Sequence, residues 1–439
     1  MSDKPSVRSP WFWVPSLYFA QGIPYVAVMI VSVLMYKRLG VSNTDIALYT
    51  SGLNLPWVIK PLWSPLVDLL KTKRWWIVVM QILVGAGLAG IALTIQGPLA
   101  FRYCLAFMWL LAFSSATHDI AADGFYMLGL NEKKQAYFVG IRNTFYRFAV
   151  IFGQGILVMF AGWLEQRYAR EMPETAAIPQ AWSLTFYLLT ILFALLFVYH
   201  YLFLPHPRRD TCTLPPQQAS AGRVFKEFLG TFTSFFQKKH IVSALIFILL
   251  YRFAEAQLVK ITSPFLLDTP ATGGLALSTA EVGFIYGTIG VIALTIGGIV
   301  GGIAMARRGL KSCLWTMTIA MNLPNIVYLY LSFARPESIG IISGCVAIEQ
   351  FGYGFGFTSL TYFMMLFSNG KHQTAHYAIC TGFMALGLML PGMISGWIEE
   401  SIGYRAFFVW IMLCTIPSFW ATHLVRKNLT DNHSDNSSR

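Results

Sequence analysis

The sequence predicts an all-α integral membrane protein of about twelve transmembrane helices, arranged as two six-helix halves. Three observations predict it. Apolar runs of ~20 or more residues, enough helix to cross a ~30 Å hydrocarbon core, recur along the whole chain. Only 12% of the 439 residues are charged while 56% are hydrophobic, against roughly 25% charged residues in a soluble chain. The longest polar interruption, 205–240, falls near mid-chain with six apolar runs on either side, the pattern of an internal repeat. The ~10-residue alternating segments of a β-barrel are absent.

The runs lie at 11–36, 47–69, 75–95, 101–129, 137–163, 182–204, 241–267, 279–305, 311–333, 339–367, 374–398 and 405–425. They set a first half at 1–204, a cytoplasmic loop at 205–240, a second half at 241–425 and a disordered cytoplasmic tail at 426–439. The first run is too long for a signal-peptide core and lacks a small-residue cleavage site before the next, so it is expected in the mature protein. Pro24, Pro56, Pro61, Pro324 and Pro391 are expected either to break helices at moving elements or to be tolerated within them. The second run ends in "SPLVDLLKTKR", Ser64–Arg74, and the eighth in "GGIAMARRGLKS", Gly301–Ser312. Each is a helix end entering a tight basic turn, with Lys71 and Arg308 close in register. In the tenth run, "FGYGFGFTSLTYF" alternates glycines with aromatics, so Phe351 shares a face with Phe355 and Tyr353 with Phe357. Those rings would stack on sugars, or the glycines would serve close helix packing.

Basic residues set the orientation. Lys4, Arg8, Lys71, Lys73, Arg74, Lys133, Lys134, Arg208, Arg209, Arg307, Arg308, Lys311 and Arg426 are among those on one face, whereas the other carries only Lys37, Arg38, Arg102, Arg167, Arg170, Arg335 and Arg405. The positive-inside rule then puts both termini in the cytoplasm. The net charge of +12 is thereby topology and headgroup anchoring, and calls for no nucleic-acid partner.

Against that background the stretch "ATHDIAADGFY", Ala116–Tyr126, is out of place. A charged side chain at the bilayer centre costs ~2.5–3.5 kcal/mol on insertion scales. Yet Lys60, His118, Asp119, Asp123, Arg142, Arg147, Arg252, Glu255 and Glu349 all fall at membrane depth, which points to a polar interior serving substrate and proton. Asp119 and Asp123 lie one turn apart on one face of the fourth helix. At ~1.5 Å per residue, Asp123 is ~12 Å from the inner end of its helix and Arg142 ~8 Å from the inner start of the next, while Asp119 and Arg147 lie at ~18 and ~15 Å. Two rungs are expected, Asp123 with Arg142 and Asp119 with Arg147. Arg252 and Glu349 reach the midplane from the seventh and tenth helices, with Glu255, three residues from Arg252, competing for it. Such pairs either pin helices together or take part in transport. An isolated carboxylate at that depth favours its neutral form and can carry a proton, and His118 is the side chain that titrates nearest neutral pH.

Other chemistries find little support. The six cysteines are scattered, with no Cys-x-x-Cys. His372 and His376 have helical spacing, but no carboxylate or thiol completes a metal site. No hydrolase, metalloprotease or nucleotide-binding fingerprint lies in a polar segment, so no catalytic residue and no cofactor is expected. The enzymatic alternative, a membrane-embedded acyltransferase using His118, leaves the two halves and the Arg252 and Glu349 charges unexplained.

The paired basic turns resemble the loop motif of the major facilitator superfamily, which makes Asp68, Lys71, Arg74, Arg307 and Arg308 candidate gating-loop residues. "KPLWSPLVD" (Lys60–Asp68), "HDIAADG" (His118–Gly124), Tyr146 with Arg147, "EQFGYGFG" (Glu349–Gly356) and "LPGMISGWIEESIGY" (Leu390–Tyr404) extend the likeness over most of the chain. Together they resemble the AmpG-type permeases and the related acetyl-CoA transporters, a branch of that superfamily. The resemblance implies a major facilitator fold and a monomeric carrier in a bacterial inner membrane. It implies import of anhydro-muropeptides, products of cell-wall recycling, by proton symport, with an anionic glycopeptide, a proton and membrane lipid as partners. Acetyl-CoA or another acyl-CoA is the second substrate it implies. Acids nearly balance bases at the midplane, without the unpaired basic cluster a CoA ester would need, and this favours the glycopeptide. In AmpG-type relatives a glutamine usually precedes the Asp-Ile pair; here that position is His118.

Overall fold

The computed structural model describes residues 9–69, 71–130, 132–207, 210, 229–230, 232–369 and 373–436. Among these residues every regular element is a helix. Helix α1 runs Pro10–Arg38, with Pro24 inside it and a widened π-helical stretch at Ala27–Val31. The expected second span is two pieces, α2 (Asn43–Gly52) and α3 (Leu55–Leu69), parted at Leu53 and Asn54. Then follow α4 (Lys73–Thr94), α5 (Ala100–Gly129) and α6 (Glu132–Val150), which passes through a π-helical stretch, Ile151–Ile156, into α7 (Leu157–Tyr168). Helix α8 (Glu174–Phe203) starts eight residues before the expected 182, with Pro173 at its N-cap, a position that needs no amide donor.

In the rest of the chain, α9 (Ile241–Leu250) and α10 (Phe253–Leu267) flank a break at Tyr251 and Arg252. Helix α11 (Thr279–Val282) opens with a capping box between Ser278 and Glu281 and leads through Gly283–Gly290 into α12 (Val291–Asn322). Pro324 sits in the tight Leu323–Asn325 turn before α13 (Ile326–Ala334). Helices α14 (Ile339–Ser368), α15 (Gln373–Leu413) and α16 (Ile416–Asn436) complete the order. In the last, helical backbone continues to Asn436, within the segment 426–439. No proline or glycine lies between Pro417 and Asn436 to stop it.

Eight helical runs among the described residues are long and apolar enough to cross a membrane. Two of them, Thr279–Ala334 and His376–Lys427, have 56 and 52 residues, ~80 Å if straight and far beyond a ~30 Å core. Gly309 and Gly403, at φ 71° and 75°, interrupt them, a backbone region open mainly to glycine. The expected second and tenth spans are helical but fall outside the eight; they carry Lys60 and Glu349. Leu195, Ile191 and Trp397 are exposed, as lipid-facing side chains are.

The chain groups into two compact units, 1–39 with 62–220 and 40–61 with 221–439. This departs from the expected first half in one place, since 40–61 packs in the second unit. The cause is a row of small residues on α15. A β-carbon at Gly382, Gly392 or Gly396 would lie 2.8 Å from Val58 O, 2.6 Å from Ser51 Oγ or 2.0 Å from Asn43 O, so only glycine admits this contact. Asn43 Nδ2 donates to Glu399 at 2.6 Å and Thr44 N to Glu400 at 3.0 Å. The first unit's core holds Trp13, Leu17, Ile77 and Phe125, the second's Phe247, Tyr251, Leu314 and Leu360. On α14 the glycines serve close packing: a β-carbon at Gly352 would lie 2.1 Å from Ala320 O, and one at Gly354 2.0 Å from Leu294 O.

Candidate substrate and proton pathway

In the first unit α5 carries the acids. Arg142 on α6 reaches Asp123, Nη1 to Oδ1 at 3.3 Å, as the depth arithmetic anticipates. Tyr18 of α1 completes a triangle, donating to Asp123 Oδ1 at 3.0 Å and accepting from Arg142 at 2.9 Å. The guanidinium also lies over the rings of Tyr18 and Tyr126, 4.9 and 5.1 Å from their centroids, a cation–π arrangement. The pair is part-exposed, at 27% and 40%, so its charges keep some access to water. The second expected rung does not form. Asp119 accepts instead from the Gln21 amide of α1, and Arg147 makes no ion pair among the described residues. Which way each group points around its helix is not fixed by its distance from the helix end.

His118 turns away from this cluster. It is buried, and its Nε2 lies 3.1 Å from Gln81 Nε2 of α4. That amide nitrogen is also 2.8 Å from His200 Nδ1 of α8, and the amide oxygen is 3.1 Å from the same Nδ1. His200 Nε2 meets Ser16 Oγ at 2.9 Å. These contacts tie α1, α4, α5 and α8 together through the buried Gln81, His118 and His200 and the half-buried Ser16. Gln81 and His200 escaped the sequence reading, although a polar side chain inside each apolar run was the available signal.

In the second unit Arg252 chooses its near neighbour. It pairs with Glu255 at 2.9 Å, with exposures of 9% and 8%, and donates to Tyr353 OH at 2.8 Å. Its guanidinium lies 5.2 and 5.0 Å from the Tyr353 and Phe357 centroids, so the aromatic face expected on α14 holds this cation. Glu349 is left to neutral donors: Tyr328 OH at 3.2 Å and Gln350 Nε2 at 2.9 Å, both to Oε2. Its exposure is 3%, and among the described residues no cation pairs with it. Lys60, half-buried on α3, groups with this unit. Lys260 on α10 is another buried cation that the sequence reading passed over, although it lies five residues after Glu255 in the same run.

Of the gating-loop candidates, Arg74 is an anchor. It lies 3.3 Å from Leu204 O and 2.5 Å from Tyr201 O, the free carbonyls at the end of α8 where a cation is favoured. Asp210 accepts from the Lys73 and Arg74 amides at 2.7 and 3.0 Å, capping α4 beside the Thr72 cap. Lys71, Arg307 and Arg308 are exposed, and the Asp68 side chain lies outside the described residues. So does His372, while His376 is 3.0 Å from Ser234 Oγ.

The sequence profile described as Major Facilitator Superfamily matches residues 16–374. Over 420 residues the chain is 24% identical to the anhydromuropeptide permease of Escherichia coli K12, covering 94% of this chain and 79% of that one. It is 25% identical over 415 residues to a Rickettsia conorii protein carrying the name AmpG 4, covering 92% and 93%. Among solved structures, it is similar to the nucleoside transporter NupG (TM-score 0.68, 15% identity, 94% and 98% coverage) and to a D-xylose–proton symporter (0.66, 13%, 94% and 95%).

Proposed function

We propose that this chain, which belongs to the major facilitator superfamily, imports anhydromuropeptides into the cytoplasm by proton symport. It is a carrier, not an enzyme. The cargo is supported by likeness to the E. coli permease along nearly the whole chain, and the coupling by Glu349. A carboxylate buried at the middle of a membrane helix, held by a phenol and an amide but, among the described residues, by no cation, is costly as an anion. Binding a proton removes that cost, so loading and unloading Glu349 ties proton movement to the shape of the second unit. Arg252 cannot neutralise it while locked to Glu255.

The first unit supplies the contrasting group. Arg142, part-exposed beside Asp123, can exchange that partner for a carboxylate of the cargo when Asp123 takes up a proton. Moving one net positive charge inward is worth ~2.3 kcal/mol per 100 mV, so importing an anion gains from at least two protons for each negative charge carried. With the basic loops in the cytoplasm, cargo enters from the face bearing α8's N-terminus.

Uptake of labelled anhydromuropeptide into vesicles, with and without an imposed pH gradient, tests the reading. Gradient-stimulated uptake, competed by anhydro-disaccharide and untouched by CoA, is expected; the reverse competition overturns it. Orientation is tested by impermeant labelling of single cysteines at Gln217 and Glu174. Labelling at Gln217 from outside intact cells would sink the cytoplasmic placement.

A further inference from the structure

Lys260 is 3% exposed, and among the described residues its ammonium has one hydrogen-bond partner, Thr50 Oγ1 at 3.2 Å. An ammonium carries three donors, and removing it from water costs several kcal/mol unless an opposite charge and further hydrogen bonds compensate. A hydroxyl supplies neither charge nor enough acceptors. Thr50 is committed elsewhere as well, donating to Ile46 O at 2.6 Å.

The surroundings supply a second vacancy. Ser51, beside Thr50, is fully buried, and among the described residues its Oγ has no hydrogen-bond partner. A β-carbon at Gly392 would lie 2.6 Å from Ser51 Oγ and 3.2 Å from Ala256 O, one turn before Lys260 on α10. Two donors therefore look into one seam between α2 and α10, an unpaired hydroxyl and an under-satisfied cation. Helix α2 ends there. Asn54 N donates to Ser51 O in a tightened turn, so α2 is a separate ten-residue piece that rests on the glycines of α15.

We infer that Lys260 is an anion-binding group of the transport path, and that a carboxylate of the cargo takes the position Thr50 Oγ1 holds here. One carboxylate oxygen accepts from Lys260 Nζ and the other from Ser51 Oγ. The group lies ~10 Å from the Leu267 end of α10, on the side from which cargo enters. The identity of the cargo rests on the muropeptide reading; the accessibility and charge preference of Lys260 do not.

The test has two arms. In proteoliposomes, the wild type, Lys260→Met and Lys260→Arg are given an anhydromuropeptide and its carboxyl-amidated form. The wild type should prefer the acid; Lys260→Met should raise KM for the acid at least tenfold and bring the acid-to-amide ratio near one, and Lys260→Arg should recover the preference. An unchanged ratio in a folded, transporting Lys260→Met protein overturns the inference, since a merely structural lysine would affect both forms alike. The second arm needs no cargo: a membrane-impermeant N-hydroxysuccinimide ester is applied to right-side-out vesicles with and without a pH gradient, and acylation of Lys260 is read by peptide mass spectrometry. Acylation supports an accessible cation, and its absence under every condition overturns it. If the wild type carries neither form, the muropeptide reading falls instead, and the acylation result alone decides Lys260.

Discussion

The acids of α5 and the acid of α14 hold comparable places in the two halves of the sequence, yet their settings are opposite. Asp123 is part-exposed and shares Arg142 with two aromatic rings. Glu349 is buried among neutral donors. The difference teaches how one carrier can divide its work. An exposed ion pair changes partners at little cost, because water screens it, whereas a buried lone acid changes its charge only by taking or losing a proton.

The comparison is broken most severely at Arg252. Lys or Arg beside Glu255 is indispensable if that acid is charged, so Arg252→Met strands it, at ~3–5 kcal/mol for a fully desolvated pair. Thermal unfolding of the purified protein should drop sharply, and the Arg252→Met/Glu255→Met double variant should recover much of the loss. Simple additivity of the two single changes would show that the 2.9 Å contact carries little energy.

Next in size is Glu349→Gln. It keeps shape and hydrogen bonding while abolishing titration, so gradient-driven uptake should fall at least tenfold, ~1.4 kcal/mol, with cargo exchange in the absence of a gradient retained. Retained gradient stimulation would move the proton site elsewhere, and Asp119 would become the group to test.

A smaller effect is expected at Arg142→Gln. The Asp123 pair is part-exposed, so stability should change by only about 1 kcal/mol, while KM for acidic cargo rises more than kcat falls. Equal loss of both would make the triangle of Tyr18, Asp123 and Arg142 a structural pin.

The smallest effect is at His118→Gln. Because His118 faces Gln81 and His200, away from Asp119's partner, the pH profile of uptake should stay unchanged, with stability lowered by about 1 kcal/mol as one buried hydrogen bond is rebuilt. A shifted pH profile would bring His118 back into coupling.

Much of this was legible in the sequence, for identifiable reasons. The helix order follows from apolar runs and their punctuation, and Asp123 with Arg142 could be paired because their distances are counted from the facing ends of two successive helices. Asp119 shows where counting stops: its partner Gln21 lies 98 positions away, and no spacing rule links α1 to α5. Lys260 was hidden for a related reason, since its acceptor on α2 comes from a segment 210 positions earlier. The grouping of 40–61 with the second unit depends on glycines of α15 whose importance appears only when another backbone lies against them.

The glycines of α14 have a mechanical consequence. With backbone of α12 about 2 Å from where β-carbons at Gly352 and Gly354 would stand, on two sides of the same helix, α14 has no room to roll about its axis. A change in charge at Glu349 therefore cannot be absorbed by a local twist of its own helix. Under the proposed coupling it would be passed on as a displacement of α14 together with the two stretches of α12 that grip it, so that the smallest moving part would be a three-layered slab rather than a rod.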